Sequence, residues 1–406
     1  MSPRARAAAA LLMAAALGAC RGEAPATPGA ADLARLVDSL IPAVEREAGL
    51  GFRRPPRSAT RTPAEVRAFV ARQIERELPE RRRRGIEATY QLLGLLPDTV
   101  RLESLLAALY AEQVAGYYDP DEGVLVGVAG ADAAQLRLVL AHELVHALQG
   151  QYLPLDSILR DRRDADRQVA AQAVLEGQAV VVSLRVLTAG GEADVTATPE
   201  FWDTYREQLE SQQEAMPVLR QAPVALRKGL IFPYLQGAEY VAWWARTHGP
   251  ASPPWEGGFP RSTEQVLFPE RLQRGDEPLA LAFPDEPGVL HDDVLGELEA
   301  RLLVEQRLRR PMLASAIPLG WAGDRVRVYE SPDGPALVWV LAFDDERSRA
   351  RHLPLLEAAL REPPRTGYRA AVEPLEVGGR PGMRAVVAPA GWARWAAPPM
   401  AAPAGR

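Results

Sequence analysis

The chain has 406 residues, of which 47% are hydrophobic and 25% are charged, so it can bury a core and is long enough for two domains. Its 53 acidic residues outnumber its 47 basic ones, and the formal net charge of −6 does not favour nucleic acid as a partner. A single cysteine excludes a disulfide within the chain.

The amino terminus has the composition of a bacterial export signal. A short basic region precedes an apolar run at 7–17, which is shorter than the roughly 18 residues that a membrane-spanning helix needs. Leu17-Gly18-Ala19-Cys20 is similar to a lipobox, and it contains the only cysteine of the chain. We therefore expect a signal peptide at 1–19 and a lipid on Cys20, which would anchor the protein in the cell envelope outside the cytoplasmic membrane. The alternative is a plain cleaved signal with an accidental cysteine.

Residues 20–31 are rich in Ala, Pro and Gly, which predicts a flexible tether between the lipid and the fold. Several of the segments that follow have helical periodicity, and one apolar run predicts a strand. The predicted helices begin at Leu33 and continue at about 63–80, 86–96 and 102–115, and the strand covers Val124 to Val128. A large, mainly helical domain is therefore predicted over 32–310.

The most informative helix is predicted at 134–149, where apolar residues occupy nearly every side and Gly150 indicates the end. It contains His142, Glu143 and His146 in the H-E-x-x-H order of zinc peptidases. Histidines four residues apart lie on one helical face, about 6 Å apart along the axis, so both rings can bind one ion. Glu143 lies beside them and can take a proton from the attacking water. The alternative is a pair of core histidines with ordinary hydrogen bonds.

Catalytic zinc usually has three protein ligands and one open position, so a third ligand is expected elsewhere. A second helix is predicted from about Asp166 to Leu187, and Glu176 projects from an apolar face of it. Gly177 would let this helix approach another backbone closely. Glu176 is therefore the first candidate for the third ligand of one Zn²⁺ per chain. The alternatives are the nearby aspartates Asp156, Asp161, Asp164 and Asp166.

Together these motifs resemble the gluzincin class of zinc metallopeptidases. More narrowly, His142-Glu143-x-x-His146 with a distal Glu176-Gly177-x-Ala179 is similar to a group of bacterial secreted or lipid-anchored metallopeptidases. Three flanking stretches support the narrower similarity: Gly116-Tyr117-Tyr118-Asp119-Pro120, Phe232-Pro233-Tyr234-x-x-Gly237 and Pro260-x-Ser262-Thr263-Glu264-Gln265-Val266-Leu267. The similarity covers roughly residues 100–272. It implies a zincin-like catalytic domain with a short edge sheet, in which the substrate backbone binds along the edge of the short strand before the zinc helix, Val124 to Val128.

The chain departs from thermolysin-like gluzincins in one respect. Four residues after the third ligand, those enzymes have an aspartate that orients a histidine, whereas this chain has Val180. The groups that orient the ligands must therefore be built differently here.

The reaction also needs a donor that stabilises the oxyanion besides the metal. Tyr234 is the first candidate, because Pro233 and Gly237 would fix it at the start of a helix predicted over 233–247. The alternatives are Tyr240, His248 and His291.

The pattern changes after Pro311 and predicts a small α+β accessory domain over 311–406. Strands are predicted at 325–330 and 336–343, then a helix at 345–361 capped by Asp344. A hairpin around Gly378-Gly379 would join strands at 368–377 and 383–387. The fold class is therefore α+β, with a helical catalytic domain followed by a ββαββ unit.

The expected function is zinc-dependent hydrolysis of peptide bonds in peptides or unfolded proteins of the envelope. Two other functions stay open. One is an envelope binding or scaffold lipoprotein with a vestigial or structural metal site, and the other is a zinc hydrolase of a non-peptide amide. Structural zinc sites are usually closed by four Cys or His ligands. A chain with no cysteine beyond Cys20 favours an open site.

Overall fold

The structure, a computed structural model, describes residues 30–113, 116–119, 122–129, 133–159, 164–188, 194–250, 252–313 and 315–404. It is α+β, as predicted: helices predominate and the strands form several small sheets. The predicted signal peptide, Cys20 and all but the last two residues of the predicted tether lie outside the described residues.

The amino-terminal part combines helices with a three-stranded sheet. Its elements are α1 (Ala30–Ala48), β1 (Arg57–Arg61), α2 (Pro63–Glu77), α3 (Glu80–Leu92), α4 (Leu102–Gln113), β2 (Gly116–Asp119) and β3 (Val124–Val128). The strand order is β1-β3-β2, with β1 parallel and β2 antiparallel to β3. The predicted strand β3 is therefore central and buried throughout, whereas β1 and β2 were not predicted. Because β1 and β2 pair with both sides of β3, the prediction that a substrate backbone binds along the edge of Val124–Val128 is wrong, and β2 forms one edge of this sheet.

The central part is helical. Its helices are α5 (Ala133–Tyr152), α6 (Leu155–Leu159), α7 (Ala165–Thr188), the short 3₁₀ helix Val195–Ala197, α8 (Pro199–Ala215), α9 (Pro217–Gln221), α10 (Val224–His248), α11 (Thr263–Leu267) and α12 (Pro269–Gln273). Helix α5 packs against β2 and α7. The predicted stop at Gly150 is wrong, because α5 continues to Tyr152, whose hydroxyl donates to the Gly51 carbonyl at 2.7 Å and anchors the last turn.

Helices α7 and α10 touch backbone to backbone. A Cβ added to Gly177 would lie 2.2 Å from the Gly237 carbonyl oxygen, and one added to Gly237 would lie 2.1 Å from the Ala173 oxygen. The close approach predicted at Gly177 is therefore confirmed, and its partner is the glycine of the Phe232-to-Gly237 motif. Among the described residues α7 is long and apolar enough to cross a membrane, but 83% of the relevant window is buried inside the protein, as in a core helix.

The prediction that a helix opens at Pro233 is wrong, because α10 begins at Val224 and runs through this proline. A proline inside a helix removes one hydrogen bond and costs about 3 kcal/mol. Its neighbours Phe232, Tyr234 and Leu235 are buried in the main core, and their packing offsets that loss. Tertiary packing has therefore overridden a local helix-breaking signal.

The motif at 260–267 joins three helices. Ser262 caps α11 by accepting from the Gln265 backbone N–H at 3.3 Å. The next residue, Thr263, donates its backbone N–H to Asp166 near the start of α7 at 3.1 Å. The Thr263 hydroxyl in turn accepts from the backbone N–H of Leu298 at 3.1 Å. This motif therefore fixes the amino-terminal end of α7.

The carboxy-terminal part is built around an antiparallel sheet with the order β5-β6-β7-β9-β8. Its elements are β4 (Leu281–Ala282), β5 (Val289–Asp293), α13 (Gly296–Leu308), β6 (Trp321–Tyr329), β7 (Ala336–Phe343), α14 (Glu346–Leu360), β8 (Tyr368–Val377), β9 (Arg380–Pro389) and β10 (Ala402–Pro403). The ββαββ order is as predicted, although the helix cap is Asp345 and not Asp344. The predicted turn at Gly378 and Gly379 is present, with φ of 60° and 72°. Strand β5 precedes residue 311 but pairs with β6 in this sheet.

Candidate metal centre

The structure brings His142 and His146 of α5 together with Glu176 of α7. The Nε2 atoms of the two histidines are 3.1 Å apart, and each lies 3.3 Å from Glu176 Oε2. The residues are only 6%, 7% and 0% exposed, respectively. Ligand atoms placed 2.0–2.2 Å from a tetrahedral ion lie about 3.3 to 3.6 Å from one another. The three atoms therefore form a triangle close to the size that one metal ion requires.

The unsatisfied polar atoms at this centre also fit a cation. Within the part of the chain that the structure describes, Glu176 Oε1 and Glu143 Oε1 are buried without a hydrogen-bond partner. Leaving buried carboxylate oxygens unpaired is unfavourable unless a charge compensates for them. Two imidazole nitrogens and a carboxylate are a donor set that suits a divalent metal, so this buried cluster can hold a metal ion.

The charges of the ligands are strongly coupled. Burial opposes a charge on His146, but the adjacent Glu176 carboxylate raises the pKa of this histidine to about 9. Burial likewise opposes a charge on Glu176, yet the two histidines lower its pKa to about 2. Burial lowers the pKa of His142. A metal ion entering the cluster must therefore displace a proton from its ligands.

Glu143 lies beside the ligands without belonging to their triangle. It is fully buried, and burial raises the pKa of its carboxyl to about 8. Its Oε2 accepts the backbone N–H of Tyr118 at 2.8 Å. Since Tyr118 belongs to β2, the edge strand directs this N–H toward α5. The sheet thus fixes one carboxylate oxygen of Glu143, and the other, Oε1, has no hydrogen-bond partner among the described residues.

Tyr234, the predicted oxyanion donor, lies beside the candidate metal centre. Its ring is buried and stacks beside His142, with ring centroids 6.1 Å apart and planes inclined by 25°.

The three alternative donors contact other groups. Tyr240 lines a cavity of about 650 Å³ that the three ligands do not line. His248 stacks on Trp244 with ring centroids 3.8 Å apart, and His291 lies in β5 with its Nε2 3.6 Å from Asp293 Oδ2.

The alternative third ligands have other roles where the structure describes them. Asp164 accepts the backbone N–H of Arg167 at 2.9 Å at the start of α7. Asp166 accepts from the backbone N–H of Thr263. Asp161 and the side chain of Asp156 lie outside the described part. Glu176 is therefore the carboxylate that the structure places against both histidines.

Two contributors to the centre were not predicted from the sequence. Gln149 bonds to His146, and the backbone N–H of Tyr118 bonds to Glu143. The signal for Gln149 was present, since it follows His146 by three residues and so shares its helical face. Tyr118 belongs to the motif at 116–120, but this motif does not predict its bond to Glu143, which depends on the pairing of β2 with β3.

Comparisons of the chain with models of protein families, with curated proteins and with solved structures give no match. The centre is a buried His-His-Glu cluster that can hold a metal ion, with a buried glutamate beside it.

Proposed function

We propose that the protein is a zinc-dependent metallopeptidase of the gluzincin type. The observation that carries this proposal is the triangle of His142, His146 and Glu176 with Glu143 immediately beside it. Metal binding alone requires only these three ligands. A hydrolase also requires a base, and we assign that role to Glu143, which lies between the two histidines in sequence and is buried beside them.

The donor set supports zinc and an open coordination position. Two histidines and one glutamate are a ligand set of catalytic zinc sites, whereas structural sites are usually closed by four Cys or His ligands. Within the described residues, the cluster contains three ligand residues and no cysteine. When bound, zinc would supply a Lewis acid that activates water near neutral pH and polarises the scissile carbonyl.

The chain's own residues then account for the remaining steps. Glu143 takes a proton from the attacking water as the water oxygen bonds to the carbonyl carbon, and passes it to the leaving nitrogen as the C–N bond breaks. Its orientation is held by the Tyr118 N–H. Tyr234, beside His142, is our candidate donor to the oxyanion. An extended substrate would pair with β2, at the edge of the sheet, through the main-chain groups that the bond between Tyr118 and Glu143 leaves.

The amino-terminal sequence supports an envelope location. The proposed lipid on Cys20 and the tether that follows would hold the domain near a membrane surface outside the cytoplasm. Peptides and unfolded proteins of the envelope are then the proposed substrates.

Cleavage of a denatured protein mixture by the purified mature protein tests the function. We expect hydrolysis that a chelator abolishes and added zinc restores. Zinc-loaded protein that cleaves no peptide bond would contradict the peptidase proposal and favour a non-peptide amide substrate or a binding role.

Zinc binding should depend on Glu176. The wild-type protein is expected to bind about one zinc per chain. Glu176→Ala should lower zinc affinity on the order of 100-fold, because it removes one of three protein ligands, and loss of a group that only orients a ligand already costs about 10- to 100-fold. Competition with a chromophoric chelator measures the zinc dissociation constants of the wild-type protein and the variant. Asp164→Ala is the control, because Asp164 caps α7 through Arg167. Loss of zinc from this control and not from Glu176→Ala would refute the ligand assignment.

The proposed anchor depends on Cys20. Cells that express the wild-type protein should carry it in the membrane fraction with lipid mass at its amino terminus, whereas Cys20→Ser should move it to the soluble fraction. Fractionation and mass spectrometry of the amino-terminal peptide measure the two effects. If the wild-type protein were soluble and free of lipid, the lipoprotein prediction would be wrong and the protein would be a plainly secreted enzyme.

A further inference from the structure

We infer that Gln149 is a positioning residue that fixes the ring of His146 for metal binding. This inference rests on the proposed zinc site. In thermolysin-like gluzincins a histidine is oriented by an aspartate, at the position that Val180 occupies here. Gln149 reaches the ligand from the histidine's own helix instead.

The geometry forms a chain of buried hydrogen bonds. The Gln149 side-chain oxygen lies 2.8 Å from His146 Nδ1. Its amide nitrogen donates to the Leu175 carbonyl and to Gln178 Oε1, each at 2.9 Å. Gln149 is only 1% exposed, so water does not compete for these bonds. The glutamine therefore has a partner at both ends of its amide group.

The Leu175 carbonyl decides which way the amide of Gln149 points. A backbone carbonyl oxygen only accepts, so the NH₂ end of Gln149 must face Leu175. The oxygen end must then face His146 and can only accept, so Nδ1 carries the proton. In the neutral ring, Nε2 is left with the lone pair that points into the ligand triangle. This deduction holds whichever way the Gln178 amide is turned.

Gln149 also connects the two helices that supply the ligands. Leu175 immediately precedes Glu176 in α7, whereas His146 belongs to α5. A single side chain thus holds the His146 ring and the backbone next to the third ligand in a fixed relation. Val180 is buried and has no polar side-chain atom to do this.

The test compares three glutamine-to-methionine variants of the full mature protein. Gln149→Met keeps the side-chain length but removes the acceptor, and we expect the zinc dissociation constant to rise by about 10- to 100-fold. Gln178→Met should cause a smaller rise, because Gln149 keeps its bond to Leu175. Gln73→Met is the matched control. Gln73 is also buried, at 5% exposed, but lies in α2, and its variant should bind zinc like the wild type.

Nitrogen NMR of the zinc-loaded wild-type protein supplies a readout that needs no variant. We expect His146 to bind zinc through Nε2 with a proton on Nδ1. Zinc bound through Nδ1 would overturn the inference, even if Gln149→Met failed to fold. An unchanged dissociation constant in a folded Gln149→Met would overturn it too, while leaving the peptidase proposal standing. A wild-type protein that binds no zinc would overturn both.

Discussion

Glu143→Gln is expected to reduce the rate constant of peptide hydrolysis by about 10²- to 10⁴-fold, the contribution usual for a general base. Zinc content should stay at the wild-type level, because Glu143 is outside the triangle formed by His142, His146 and Glu176. The substitution should preserve the fold as well. A glutamine amide has the shape of the carboxylate, and its oxygen can still accept the Tyr118 N–H. What it cannot do is take a proton from water.

Glu87→Gln is the matched control for this variant. Glu87 is also buried in a helix, but it accepts from the Arg101 side chain at 2.7 Å and from the Leu102 backbone at 3.0 Å. Its variant should keep the wild-type kcat and zinc content. Steady-state kinetics on one peptide substrate, with metal analysis of each protein, separates the outcomes. Full turnover by a zinc-loaded Glu143→Gln would remove Glu143 from the mechanism.

The three candidate ligands and Glu143 could be predicted because their signals are local. Helical geometry alone places His142 and His146 on one face, whatever surrounds them. Glu176 was recognisable as a carboxylate on an apolar face, and the structure places its Oε2 3.3 Å from both histidines. The hairpin at Gly378 and Gly379 was predictable for the same reason, since two successive glycines favour the positive φ that the turn requires.

Features that depend on distant partners were not predicted. The segment Arg57–Arg61 contains no apolar run, and it forms a strand through parallel pairing with Val124–Val128. Pro233 indicated a helix start, but burial of its neighbours carries α10 through it. The role of the Tyr118 N–H likewise depends on pairing between β2 and β3. In each case tertiary contacts outweigh the local preference of the sequence.

The second large effect is expected at the crossing of α7 and α10. Gly177→Ala places a methyl group 2.2 Å from the Gly237 carbonyl oxygen and from its carbonyl carbon. These are backbone atoms and cannot rotate away, so the helices must separate. We expect the free energy of unfolding to fall by about 1–3 kcal/mol or more, as overpacking of a close contact does. Zinc affinity should fall with it, because Gly177 is bonded directly to Glu176.

Gly229→Ala is the control that separates this steric effect from the general effect of a helical alanine. Gly229 is in α10 as well, but the atom nearest an added Cβ is Leu302 Cδ1 at an ordinary 3.9 Å. Alanine there should be neutral or should stabilise the protein by about 0.5–1 kcal/mol, because glycine loses more backbone entropy on folding. Chemical denaturation and chelator competition measure stability and zinc affinity for both variants. If Gly177→Ala matched Gly229→Ala in both measurements, the crossing would not set the position of Glu176. If stability and zinc affinity fell only in Gly177→Ala, the glycine beside the third ligand would serve metal binding. Without a side chain there, α7 approaches α10 closely enough for Glu176 to meet the histidines of α5.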